Sequence, residues 1–441
     1  MARYLLAASP IPGHVTPMLA IAADLRRRGH EVRLLAGETF HPAAANAGVQ
    51  PLPLADIARP ASAGPPPGRL PGVIGRWRTG RAELRSSLLA PLAAQYHALA
   101  TALARERFDA VLVDVMYTGA IPLLLSGRAR PPVLACGVVP LTLSSMDAPP
   151  FGMGRRPQAG QDYTAMNRFV HHVLFRDDQA RLDATLRALG VEQAPVFFLD
   201  WPKLADRLLQ FTVPGFEYPR RDLPPSVVFT GPIPASSAVD AALPPWWAEL
   251  RRARTVVHVT QGTWDNADFG RLIRPALAAL SPRAEVLVVA TTGGSAAPLG
   301  PIPANARICD VVPYSQLLPH VDLMITNGGY GGVQQALSHG VPVIVAGDTA
   351  DKPEIAARVA HFGAGIDLGT GRPRPAALTA AVDRVLSTGG YRLAARRLAA
   401  EMAEHTPFDT ISDQLAQLSS APDAATGNGR GVRGIREGNR R

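Results

Sequence analysis

The stretch Ile325–Pro342, ITNGGYGGVQQALSHGVP, runs an apolar strand into four glycines, Gly328, Gly329, Gly331 and Gly332, and then into a helical pattern. Glycine lets a backbone turn tightly or come close to a neighbour, and a helix mouth offers bare N–H groups and a positive dipole end to an anion. Two readings therefore stand side by side, a tight strand-to-helix turn without a ligand and a seat for phosphate. Elsewhere His14 stands in PGH just after the first apolar run, and Asp114 closes the run AVLVD. Histidine titrates near neutrality and suits proton transfer. A lone His between a strand and a helix is equally a turn or capping residue, and Asp114 could cap a helix that begins near Tyr117.

These residues need elements to hold them. RYLLAAS reads as a buried strand, TPMLAIAADLRRRG as a helix ending at Gly29, and HEVRLLAG as a second strand, which makes a βαβ unit at the N-terminus. FDAVLVDV and PPVLACGVV repeat the strand signal around the helical YTGAIPLLLSG, and WRTGRAELRSSLLAPLAAQYHALATALARER reads as one long helical pattern. Prolines gather around VVFTGPIPASSAVDAALPP, and the alternation then restarts with ARTVVHVTQGT, AEVLVVATT, NARICDVV, VDLMITNGG and VPVIVAG. The pattern predicts an α/β protein of two Rossmann-like, doubly wound domains: an N-terminal domain over 1–230, a linker over 231–245 and a C-terminal domain over 246–407. A helix over 408–420 can return to the first domain, and 421–441 is a disordered basic tail. In such sheets ligands bind at the carboxyl edge of the strands, which is where the glycine-rich stretch falls. Loops over 55–85 and 140–180 carry Trp77, Phe151, Met153, Tyr163 and Phe169, residues equally suited to lining an apolar pocket or to packing.

Composition narrows the function classes. A chain of 441 residues, 47% hydrophobic and 18% charged, can bury two ordinary cores. The formal net charge of +9 owes much to the stretch from Gly427 onward, where Arg430, Arg433, Arg436, Arg440 and Arg441 face one acid, Glu437. The body carries only Lys203 and Lys352 as lysines and lacks the basic stripes with interleaved aromatics of nucleic-acid surfaces, so no nucleic-acid partner is expected. Cys136 and Cys309 read as buried thiols rather than a disulfide framework. The N-terminal run is broken by proline, and no apolar stretch reaches the roughly 20 residues that span a bilayer. A soluble cytoplasmic protein is expected, monomer or homodimer, with at most peripheral membrane contact. No Walker pattern and no GxGxxG in dinucleotide context occur, and with no Asp-x-Asp pair or His/Cys cluster of ligand spacing no metal or other cofactor is expected.

Taken together, PIPGHVTPML after the first strand, GPIP at the hinge and VPYSQLLPHVDLMITNGGYGGVQQALSHGVPVIVAGDTADKPEIAARV resemble the GT-B glycosyltransferases of family 1, most closely bacterial enzymes that glycosylate natural products. The likeness runs to about residue 418. It implies an N-terminal domain that binds a hydrophobic small-molecule acceptor and a C-terminal domain that binds a nucleotide-diphosphate sugar, with transfer by single displacement and inversion at the anomeric carbon.

Carried over residue by residue, the resemblance makes His14 the general base and Asp114 the acid that orients it, with Gly13 beside them at the donor. Gly328, Gly329, Gly331, Gly332 and the helix start at Val333 become the diphosphate cradle. Thr263 supplies a hydroxyl from the facing loop, Val312 brackets the base, and Asp351 with Lys352 meets the sugar hydroxyls. The chain departs from the family's usual residues at Asn327 (His), Gly332 (Ser or Thr), Gln335 (Glu) and Lys352 (Gln). Asn327 can still donate to phosphate. Gln335, where a Glu would accept from both ribose hydroxyls, weakens the case for UDP and leaves dTDP plausible. Two other readings are a non-catalytic GT-B protein that binds a nucleotide or activates a partner, and a nucleotide-sugar epimerase.

Overall fold

A computed structural model describes residues 1–54, 80–234, 243–263 and 265–420. Most of the 55–85 loop with Trp77, the middle of the 231–245 segment and the 421–441 tail lie outside the described residues.

The first sheet has seven parallel strands: β1 (Arg3–Ala7), β2 (Glu31–Gly37), β3 (Gln50–Leu54), β4 (Ala110–Asp114), β5 (Val133–Gly137), β6 (Arg207–Gln210) and β7 (Val227–Phe229), in the order β3-β2-β1-β4-β5-β6-β7. The second has six: β8 (Thr255–Thr260), β9 (Val286–Thr291), β10 (Ala306–Cys309), β11 (Leu323–Thr326), β12 (Val343–Val345) and β13 (Gly365–Asp367), ordered β10-β9-β8-β11-β12-β13. Parallel sheets are covered on both faces, so their central strands must be apolar throughout. β4, β5 and β9 are buried at every residue.

The helices that matter below are α1 (Pro12–Arg27), α2 (Leu92–Arg105), α3 (Arg176–Ala188), α4 (Ile273–Leu280), α5 (Tyr330–Ser338), α6 (Lys352–His361), α7 (Pro375–Ser387), α8 (Gly389–Ala403) and α9 (Pro407–Ser420). The long helical pattern before β4 is interrupted: a π-helical turn spans Arg85–Leu89, and α2 starts only after Pro91. Proline has no N–H to give and clashes with the preceding turn, so a helix restarts there instead of running through. The 140–180 stretch, read as loop, contains the short helix Thr164–Phe169, a π-turn over Val170–Leu174 and the start of α3.

Strand order reverses between β1 and β4 in the first sheet and between β8 and β11 in the second. At such a switch point the connections leave in opposite directions and open a crevice beyond the carboxyl ends of the two strands. α9 crosses back over the first sheet, where Ile411 and Leu415 join its core and Arg28 meets Asp409 at 2.5 Å.

Candidate active site

Both halves of the site fall at the switch points. After β1, Pro12 sits at the start of α1 and places His14 in its first turn, and Asp114 is the last residue of β4, the neighbouring strand. His14 Nδ1 lies 3.0 Å from Asp114 Oδ1. Asp114 is fully buried and also accepts the N–H of Ser9 at 2.5 Å and of Met116 at 2.7 Å. The helix after β4 begins only at Ala120, with Gly119 as its N-cap and no side-chain cap, so Asp114 does not cap it; it closes the turn after β4 and holds the imidazole. An ionised carboxylate only accepts, so Nδ1 carries the imidazole proton and Nε2 keeps its lone pair. Burial pulls the His14 pKa down, but the charge of Asp114, its hydrogen bond and the more distant charge of Asp351 push it up and prevail.

Asp351, the N-cap residue of α6 in the other domain, thus comes near enough to the imidazole for its charge to act on it. Burial raises its carboxyl pKa, against the pull of His14 and Lys352. Lys352 is held at 3.1 Å by Asp265 and at 3.2 Å by the Thr349 hydroxyl. Arg271 bridges Asp265 and Asp348, each at 3.3 Å. From the first domain, Glu83 accepts the N–H of Ala350 at 3.1 Å, beside the one described non-glycine residue with positive φ, Ala350 at 51°. Asp265, Arg271, Asp348 and Glu83 were not picked out by sequence, and no local pattern marks them, since they meet only through the fold.

The four glycines divide by cause. Gly328 has φ +90°, and a Cβ there would lie 2.6 Å from Val345 Cγ1, so the turn and its packing require glycine. At Gly329 and Gly331 a Cβ would meet nothing within 4 Å, and at Gly332 only Met324 and Tyr314 at 3.9 and 4.0 Å. Gly329 is the N-cap of α5 and has no side-chain cap. The N–H groups of Tyr330, Gly331 and Gly332 have no acceptor among the described residues, whereas Val333 donates to the Gly329 carbonyl at 3.0 Å. The helix mouth is open over 330–332, and Val333 is already committed to the helix.

Three further expectations shift. Val312 is buried in the core of the second domain, while its neighbour Val311 is 73% exposed after β10. Asn327 gives its amide to the Gln261 carbonyl at 2.5 Å, tying the loops after β8 and β11 together and leaving its Oδ1 without a partner. Gln335 gives one amide N–H to the Ile233 carbonyl of the hinge at 3.1 Å, so what it can still offer a ligand is Oε1 and its second N–H. Thr263 is exposed in the loop after β8, and Gly13 is exposed on the first turn of α1 beside His14.

Two Rossmann-like parallel-sheet domains, each with its own switch point, make the GT-B fold. Residues 276–418 match the family described as erythromycin biosynthesis protein CIII-like, C-terminal domain. The 4'-demethylrebeccamycin synthase of Lentzea aerocolonigenes is 38% identical over 417 residues, 91% of this chain and 96% of that protein. UDP-glucosyltransferase A1 of Starmerella bombicola is 32% identical over 93% of this chain and 91% of its own length. The crystal structure of the glycotransferase of kitacinnamycin shares the fold with a TM-score of 0.73, 20% identity and coverage of 95% and 99% of the two chains. The chain belongs to the family 1 glycosyltransferases of natural products.

Proposed function

We propose that the protein moves a sugar from a dTDP- or UDP-linked donor to a hydroxyl of a hydrophobic small molecule, with inversion at the anomeric carbon. The observation that carries this reading is the His14–Asp114 pair, in which Asp114 takes up Nδ1 and leaves Nε2 as the imidazole nitrogen without a partner among the described residues, with Asp351 of the other domain near enough for its charge to act on the ring. In the proposed step Nε2 takes the proton of the acceptor hydroxyl as its oxygen bonds to the anomeric carbon. The bond from that carbon to the diphosphate breaks, and Asp114 stabilises the imidazolium that forms.

The departing diphosphate gains charge, and the N–H groups of Tyr330, Gly331 and Gly332 with the positive end of α5 are the groups that meet it. No metal enters this proposal. In this reading Asp351 and Lys352 meet the sugar hydroxyls, and Gln335 meets the ribose. A hydrophobic acceptor is supported by Met153 and Phe169, 42% and 52% exposed on the chain that leaves the first sheet after β5, and by the relative named as a demethylrebeccamycin synthase.

An oriented proton acceptor argues against a non-catalytic binding protein, and an epimerase would not need an open acceptor cleft. The test incubates the protein with radiolabelled UDP-glucose or dTDP-glucose, with and without a panel of aromatic and polyketide aglycones. Donor consumption that requires an aglycone and yields the opposite anomer supports the proposal. Donor consumed equally without any aglycone sinks it.

A further inference from the structure

α6 carries two sets of contacts one turn apart. Asp351 begins the helix at the cleft, and Glu354 and Arg358 follow on successive turns, buried against the first domain. Arg358 is 1% exposed and meets Glu217 Oε1 through Nη2 at 2.5 Å and Nε at 3.0 Å. Its Nη1 meets Glu354 Oε2 at 3.0 Å, and its guanidinium lies 4.4 Å from the ring centre of Tyr218. Burial alone would raise the Glu217 pKa, but the charges of Arg358 and Arg220 outweigh it and the carboxyl sits below its ordinary range.

The two carboxylates spend their remaining oxygens on one segment. Glu354 Oε1 accepts the N–H of Gly152 at 2.9 Å and of Gly154 at 2.7 Å, and Glu217 Oε2 accepts the N–H of Leu141 at 3.0 Å. Gly154, at φ +58°, lies so close to α6 that a Cβ would stand 2.7 Å from Pro353 Cβ. Residues 141–154 leave the first sheet beyond β5, whose Cys136 is paired with Asp114. The segment therefore starts at the same edge as the His14–Asp114 pair, and both its ends are gripped by acids that one arginine of α6 organises.

Burying ions costs desolvation, so such a network is a weak source of stability and a strong source of positional definition once every partner is in place. We propose that Glu354 is a positioning residue that ties the acceptor-side segment 141–154 to α6, so that a sugar seated at the start of α6 fixes where that segment stands. This rests on the sugar-binding reading of the 329–338 and 351–352 region given above.

The test is hydrogen exchange on the full chain, with and without UDP-glucose or dTDP-glucose. In the wild type, donor slows exchange in peptides covering both 329–338 and 146–158, the latter by about threefold or more. In Glu354→Ala the 329–338 response persists and the 146–158 response is lost, while Glu354→Gln, which keeps an oxygen for the glycine amides, falls between. The persisting 329–338 response shows that a variant is folded and binds donor, and Glu354→Gln serves if Glu354→Ala does not fold. A 146–158 response unchanged in the variants overturns the proposal. If neither donor protects 329–338 in the wild type, the sugar-binding reading fails first and takes this proposal with it.

Discussion

At the residue scale the pair to test is His14 with Asp114. His14→Ala is expected to lower turnover by roughly 10²–10⁴-fold, the usual size of a general-base effect, with UDP and dTDP affinity nearly unchanged because the helix mouth is in the other domain. Unaltered turnover would remove His14 from the chemistry. The pH profile gives an independent check. The base acts only when neutral, and its pKa is raised above the ordinary 6.5, so kcat/KM should climb with pH through a midpoint above 6.5. Asp114→Asn removes the charge that raises it and leaves burial in command, so the residual activity should show its midpoint shifted below that of the wild type. A midpoint that stays put in the Asp114→Asn protein would mean that another group limits the rate. Apart from the family resemblance, neither half of this pair could be read in advance. The two residues stand 100 positions apart in the chain, and each looks like a local turn or cap until β1 and β4 are paired.

At the scale of the element, α5 separates glycines that serve the fold from glycines that serve a ligand. Gly328→Ala must adopt φ +90° and push against Val345, so it should lose about 1–2 kcal/mol from the backbone alone and melt earlier. Gly331→Ala points its methyl into open space, so it should melt like the wild type yet bind UDP and dTDP more weakly. Equal melting for the two variants would contradict this division. Gln335 is more demanding. Replacing it by Glu adds a charged acceptor worth roughly 1.5–3 kcal/mol to a 2′-hydroxyl, about tenfold or more toward UDP, but removes the amide that holds the Ile233 carbonyl. The UDP/dTDP affinity ratio by calorimetry isolates the first effect, and an unchanged ratio would show that Gln335 does not touch the ribose. Element identity was legible in strands such as AVLVD and VLACG, because a continuous apolar run is what a central parallel strand requires, whereas the four-residue β6, RLLQ, was too short and too polar at its ends to show one. β3, with prolines at 51 and 53, and the three-residue β7 were not legible, since an edge strand tolerates proline and a short one shows no period. Likewise Val311 and Val312 are indistinguishable by type, and only the end of β10 decides which one turns outward.

For the whole molecule, the C-terminal helix settles how the halves are joined. Deleting residues 422–441 should leave melting and turnover unchanged, because PDAATGNGRGVRGIREGNRR has little to bury. Leu415→Ala, by contrast, opens a cavity in the first core from the far end of the chain and should cost about 2–5 kcal/mol. Thermal unfolding of both proteins distinguishes a dispensable tail from a docked one. The return of α9 also means that the chain passes between the domains twice, near Gly231 and near His405. The two passages touch: a Cβ on Gly231, at φ +83°, would stand 2.6 Å from His405 Cβ, and close by Glu401 accepts the Gly215 N–H at 2.8 Å. Two crossings in contact give both halves of the molecule one shared point of reference, so the imidazole on one side and the start of α6 on the other are each positioned from the same place.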